Sequence, residues 1–87
     1  MSETDEAIQI ELFNDARFMM ALGREVSGLP YRDAKVTAMD FIQDRLNIEY
    51  ESTDFGGSVL RTICWWAISE VNYGALADEA LERWGVR

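Results

Sequence analysis

Glu70 is the carboxylate of this chain whose spacing best suits acid–base chemistry. It lies between Trp66 and Tyr73 in a row of otherwise apolar residues, and a carboxyl group in such surroundings is a candidate proton donor. The plainer interpretation is a glutamate bonded to an arginine or a tyrosine hydroxyl in the core or at a dimer contact. The chain has no histidine, and no second group at a useful spacing accompanies Glu70. We therefore predict no catalytic residue and a non-enzymatic protein.

Cys64 is the only thiol, so the sequence allows no internal disulfide. It stands among apolar residues, which predicts a buried, unreactive side chain rather than a nucleophile with a nearby base. One cysteine without histidine is also a poor ligand set for zinc or haem. We predict neither a metal nor a cofactor, and a reducing cytoplasmic compartment is the simplest setting.

The chain carries 16 carboxylates against 8 lysines and arginines, a net charge of −8 in 87 residues. Such a surface repels nucleic-acid backbones and anionic membranes, so we predict direct binding to neither. The acidity is uneven: residues 1–54 hold twelve carboxylates and five cations, whereas residues 55–87 hold four and three. A hydrophobic fraction of 48% is too high for a disordered acidic tail, which predicts one folded domain over residues 1–87.

Three aspartates recur at helical spacing in the acidic part of the chain. Asp33, Asp40 and Asp44 fall on one edge of a predicted helix, and Glu49 and Glu51 follow it. The plain interpretation is a solvated face that maintains solubility. The functional interpretation is a surface complementary to a basic partner protein, where charge raises association rate and specificity.

Trp65 and Arg61 are candidates for an apolar anchor beside that acidic surface. In a helical projection Trp65 points away from Trp66, and an exposed tryptophan next to arginine is typical of interface hot spots. The competing interpretation is that another helix covers Trp65. Phe18, which falls off the main apolar row of its helix, is a weaker candidate of the same kind.

The first helix is predicted from about Thr4 to Val26. Thr4 suits the N-cap, and apolar residues recur every three or four positions from Ile8 onward. Gly28 suits a left-handed residue after the helix end. An alternative remains open, because residues 8–12 also alternate with period two and would suit a short strand before a helix capped by Asn14.

A second helix is predicted from Pro30 to about Asn47, with a loop or short strand over residues 48–57. The last helix is predicted to run unbroken from Ser58 to Trp84, bent at most at Gly74. Its apolar row has 4-3-4-3-4-3-4 spacing, and we call this row the seam: Val59, Ile63, Trp66, Glu70, Tyr73, Ala77, Ala80 and Trp84. The residue after Gly74 is Ala75, which does not suit the cap of a new helix.

These patterns predict an all-α domain of three to four helices with a long C-terminal helix at its centre. The alternative is an α+β fold with a two-stranded ribbon. The expected function is an acidic interaction module that inhibits or regulates a basic, nucleic-acid-binding partner, the class to which some phage-encoded inhibitors and nucleic-acid mimics belong. The alternative is a homodimeric structural or regulatory subunit assembled through the seam.

Overall fold

The computed structural model describes residues 1–85, and over that range it contains five α-helices and no strand. The helices are α1 (Glu3–Phe13), α2 (Ala16–Val26), α3 (Tyr31–Ser52), α4 (Ser58–Ser69) and α5 (Tyr73–Arg83). The predicted all-α class is confirmed, whereas the alternative with a ribbon is not supported. Both segments that alternate with period two, residues 8–12 and 46–51, are helical.

The predicted first helix is in fact two helices, α1 and α2, separated at Asn14 and Asp15. The Asp15 carboxylate accepts a hydrogen bond from the N–H of Phe18 at 3.1 Å and so caps α2. The guanidinium of Arg45, on α3, binds its other carboxylate oxygen at 3.0 Å. The break is stabilised by a cap and a distant cation together. At the far end of α2, Gly28 has a φ of +78°, as its predicted left-handed position requires.

The third helix begins after Pro30, as predicted, and extends five residues beyond the predicted end at Asn47. The hydroxyl of Ser52 donates to the Ile48 carbonyl at 2.7 Å, and that of Thr53 donates to the Glu49 carbonyl at 2.6 Å. Both hydroxyls thus bond back to the carbonyl four residues earlier, at the C-terminal end of the helix. Half of the predicted loop or strand, residues 48–52, therefore belongs to α3.

The prediction of one unbroken C-terminal helix is wrong. The chain leaves the helix after Ser69, and the side chain of Asn72 caps α5 by accepting the N–H of Ala75 at 3.0 Å. The N-cap of α5 thus lies two residues before Gly74, whereas the prediction of an unbroken helix considered only a cap after Gly74. Val71, between the two helices, is buried in the core, and this apolar burial stabilises the break between α4 and α5.

The centre of the domain is α3, not the C-terminal helix as predicted. It contacts α2, α4 and α5. The small residues Ala34 and Ala38 on α3, with Ala77 and Ala80 on α5, are fully buried and allow the two helices to approach closely. Larger side chains fill the rest of the core, chiefly Leu12, Phe13, Phe18, Leu22, Val26, Ile42, Leu76 and Leu81.

A polar contact joins α3 to α5 at the edge of this core. Asp78 accepts a hydrogen bond from the hydroxyl of Tyr31 and binds the Lys35 ammonium group at 3.1 Å. The hydrogen bond from Tyr31 and the charge of Lys35 hold the pKa of Asp78 below its ordinary value, although partial burial opposes them. No helix within residues 1–85 has both the length and the apolar character that a bilayer crossing needs.

Candidate functional site

Four carboxylates form a straight row along the solvent side of α3. Residues 18 positions apart lie five full turns apart, so the longer α3 places Glu51 in line with Asp33, at a distance of about 27 Å along the axis. Asp40 and Asp44 lie between them, and all four side chains are exposed. We call Asp33, Asp40, Asp44 and Glu51 the acidic stripe. It faces away from the buried side of α3.

The acidic stripe is not neutralised by cations in the part of the chain that the structure describes. The ion pairs of residues 1–85 join Lys35 to Asp78 and Arg45 to both Asp15 and Glu49. These pairs lie between helices or on the flank of α3, away from the stripe. Four like charges on one helix edge repel one another, so the stripe lowers stability slightly unless a cation from elsewhere approaches.

Glu49, which the sequence grouped with the acidic surface, lies on a different side of α3. Five residues, about 140° of rotation, separate it from Asp44. Its carboxylate binds the Arg45 guanidinium at 3.2 Å, and the same arginine lies 5.4 Å from the ring centre of Phe18. Glu49 thus pairs with Arg45 on the flank of α3 that faces α1, whereas Glu51 belongs to the stripe.

An apolar groove of about 400 Å³ runs beside the middle of the acidic stripe, between α2 and α3. Asp44 shares the lining of this groove with two arginines, Arg17 and Arg45, and with the apolar residues Phe41 and Ile48. Ile48 is 60% exposed although it is a large apolar residue. The groove therefore adds exposed apolar surface beside the stripe, and its two arginines oppose the binding of a further cation inside it.

Trp65 and Arg61 lie at the C-terminal end of α3 rather than along the stripe. The Trp65 ring packs against Tyr50 with ring centres 5.6 Å apart, and Tyr50 packs against Phe55 at 5.2 Å. The Tyr50 hydroxyl lies 3.5 Å from the Arg61 carbonyl, to which it donates. Trp65 is 51% exposed, which agrees with the predicted exposed tryptophan and not with one that another helix covers.

The helix α4 presents an apolar surface that the sequence analysis did not isolate. None of its residues is buried, although it is rich in large apolar side chains. Val59, Ile63 and Trp66 are 70%, 58% and 65% exposed, and Leu60 and Ala67 are exposed beside them. We call these five residues the α4 face. The seam spacing pointed to three of them.

The two halves of the predicted seam have different surroundings. Ala77 and Ala80 are fully buried within the chain's own core, so this half of the seam is not available to a second copy. Glu70 is exposed at the C-cap of α4, so the buried proton donor and the glutamate bonded in the core are both wrong, whereas a position at a dimer contact stays untested. The seam therefore remains a candidate contact only over its α4 half.

Two other predicted side-chain environments need correction. Phe18 is buried and packs on Phe41 at a ring-centre distance of 5.3 Å, so it is a core residue. Cys64 is half-buried, not fully buried, on the wall of a groove of about 450 Å³ between α4 and the rest of the chain. Within residues 1–85 the acidic and thiol side chains form no group of three or more suited to a metal ion.

Asp5 is a buried carboxylate that sequence reasoning treated as an ordinary first-turn acid. It is 3% exposed, and it accepts hydrogen bonds from the N–H groups of Ser2 at 3.1 Å and Asn72 at 3.0 Å. The Ser2 hydroxyl in turn accepts the Asp5 N–H, which makes Ser2 the N-cap of α1 in place of the predicted Thr4. The spacing of Ser2 and Asp5, three residues apart, is the sequence signal that could have predicted this capping box.

Comparisons with protein-family models, curated proteins and solved structures found no match to this chain. The features of this chain that bear on its function are its two exposed surfaces, the acidic stripe and the α4 face.

Proposed function

We propose that this chain is a non-enzymatic interaction module that binds a basic protein surface through the acidic stripe. The observation that supports this proposal best is the alignment of four exposed carboxylates over five turns of α3, without a cation partner among residues 1–85. Such a row attracts cationic side chains from a distance and orients them on contact.

The spacing of the stripe favours a narrow basic element over a broad nucleic-acid-binding groove. Duplex DNA presents about one charge per 1.7 Å of its length, whereas the stripe presents four over about 27 Å. The charge per unit length of the stripe is therefore far lower than that of duplex DNA. A helix or extended segment with a single row of arginine and lysine side chains matches it better, and such segments are common in nucleic-acid-binding proteins.

The groove beside Asp44 contributes apolar surface rather than a second cation site, because Arg17 and Arg45 line it together with Asp44. A lysine or arginine that binds Asp44 from the stripe side can rest its apolar stem on the exposed Ile48. Inhibition or regulation of a basic, nucleic-acid-binding protein follows if the bound segment is the one that the nucleic acid needs. We place this activity in the cytoplasm, where the single thiol of Cys64 stays reduced.

Affinity capture from lysate tests this proposal with two variants of equal charge. In the stripe variant, Asp33, Asp40 and Asp44 are each changed to Asn. In the control, three exposed carboxylates outside the stripe, Glu11, Glu25 and Glu82, are each changed to Gln. Both variants have a net charge three units less negative than the wild type.

Mass spectrometry of the captured proteins gives the readout. We expect basic proteins that the wild type and the control retain and the stripe variant loses, and we expect added duplex DNA to displace them. Equal capture by all three proteins contradicts the proposal. Equal loss from both variants shows a dependence on bulk charge alone, which also contradicts a specific role for the stripe.

A further inference from the structure

The α4 face is an unpartnered apolar surface on the part of the chain that carries the least charge. Val59, Leu60, Ile63 and Trp66 are each more than half exposed, and Ala67 is exposed beside them. A buried aromatic side chain alone covers about 150–250 Å². The five side chains therefore present several hundred Å² of apolar surface, a large part of the about 800 Å² that each partner buries in a standard interface.

The charge distribution distinguishes between occupants of this face. Residues 55–69 contain no carboxylate, and Arg61 is their only charged residue. A basic partner would find no charge complement there. A second copy of the chain would meet an identical apolar surface, while the acidic stripe of each copy, on a different helix, stays outside the contact.

The positions of the α4 face are symmetric about Ile63. Val59 and Ala67 lie four residues to either side, and Leu60 and Trp66 lie three residues to either side. When two such helices run antiparallel, a two-fold axis at Ile63 places Val59 against Trp66 of the second copy, and Leu60 against its Ala67. Each larger side chain then opposes one that leaves room for it, and the two helix dipoles oppose each other.

We propose that the chain forms a two-fold symmetric homodimer in which the α4 helices pack antiparallel through the α4 face, with Ile63 at the axis. Arg61 lies about 160° around α4 from Ile63 and so outside this contact, and Glu70 is exposed at the C-cap of the helix. The proposal concerns a surface distinct from the acidic stripe and does not depend on the proposed function. Purified protein alone suffices to test it.

Sedimentation equilibrium gives the first test, at concentrations up to about 100 µM, well above a micromolar dissociation constant. The wild type is expected to sediment with the mass of two chains. Ile63→Glu is expected to sediment as a single chain, because each dimer would bury two carboxylates face to face. Val36→Glu, an equally exposed apolar position on α3, is the matched control and should remain dimeric. A monomeric wild type over the whole range overturns the proposal.

A disulfide between copies tests the symmetry and does not require any variant to lose affinity. Both variants carry Cys64→Ser, so that each has one thiol, placed by Ile63→Cys or by Val36→Cys. Oxidation with copper–phenanthroline under air joins two thiols as one disulfide while oxygen accepts the electrons. We expect rapid covalent dimers from the Ile63→Cys variant and slow ones from the Val36→Cys variant. Equal rates of disulfide formation, or a faster reaction at position 36, overturn the antiparallel arrangement. In the sedimentation experiment, an Ile63→Glu variant that remains dimeric overturns it as well.

Discussion

The carboxylate of Asp5 accepts a hydrogen bond from the backbone N–H of Asn72 at 3.0 Å, across 67 residues of sequence. The contact joins the first turn of α1 to the residue that caps α5. Burial alone would raise the pKa of Asp5, but the N–H groups of Asn72 and Ser2 and the Ser2 hydroxyl outweigh it and lower the pKa below 3.8. One buried carboxylate thus stabilises the start of the chain and the bend between α4 and α5.

Asp5→Asn should destabilise the protein by about 1–3 kcal/mol, because an amide presents an N–H₂ group where the carboxylate accepts an N–H. The free energy of unfolding in urea is the measurement. Glu6→Gln, at an exposed position in the same turn, is the control and should change stability by at most about 0.5 kcal/mol. Equal effects at both positions would contradict the role assigned to Asp5.

Stability should fall at acid pH through three aspartates. The hydrogen bonds from the Phe18 N–H and Arg45 lower the pKa of Asp15. Those from Tyr31 and Lys35 lower the pKa of Asp78, so the folded state lowers all three aspartate pKa values. A lowered pKa in the folded state contributes stability that is present above the ordinary value of 3.8 and is lost as the pH falls through the folded value. Urea unfolding of the wild type between pH 6 and about pH 2 should show this loss. Asp78→Asn should show a shallower decline, and parallel curves for the two proteins would contradict the assignment.

Gly23→Ala should reveal the packing of Trp84 on α2. A Cβ built at Gly23 would lie 2.7 Å from the Trp84 ring, too close for the ring to stay in place. Alanine normally stabilises a helix interior by about 1 kcal/mol relative to glycine. We expect that gain in a Trp84→Ala background and a smaller gain, or a loss, in the wild type. A double-mutant cycle in urea measures the difference, and additivity of the two changes would contradict the contact.

Salt should affect the two proposed surfaces in opposite directions. The Debye length falls from about 10 Å at 0.1 M to about 3 Å at 1 M ionic strength. Screening should weaken capture of a basic partner by the acidic stripe, because that contact is an attraction between opposite charges. It should strengthen self-association through the α4 face, because two chains of charge −8 repel each other. Sedimentation and capture at both salt concentrations measure the two effects separately, and a common direction would contradict one of the two proposals.

The success of the sequence analysis on α3 has a local cause. Helical periodicity depends on residues three and four positions apart, so the buried positions Ala34, Ala38 and Ile42 could be placed opposite Asp33 and Asp40 without tertiary information. Glu51 joined the row only because the structure extends α3 to Ser52. The buried side of the helix was predictable from its periodicity, whereas its end was not, because residues 46–51 also alternate with the period of a strand.

The sequence by itself determined the acidic edge of α3 and the nearly neutral C-terminal third, and it favoured the all-α class over the α+β alternative, since composition and short-range spacing contain that information. Only the tertiary structure decided that the helices break at Asp15 and Asn72, because each break is stabilised by a partner far away in the chain, Arg45 for the first and Asp5 for the second. It also decided which half of the seam is core. Identical spacing over residues 59–84 cannot distinguish a helix that other helices cover from one that they leave exposed, because burial depends on where neighbouring helices pack.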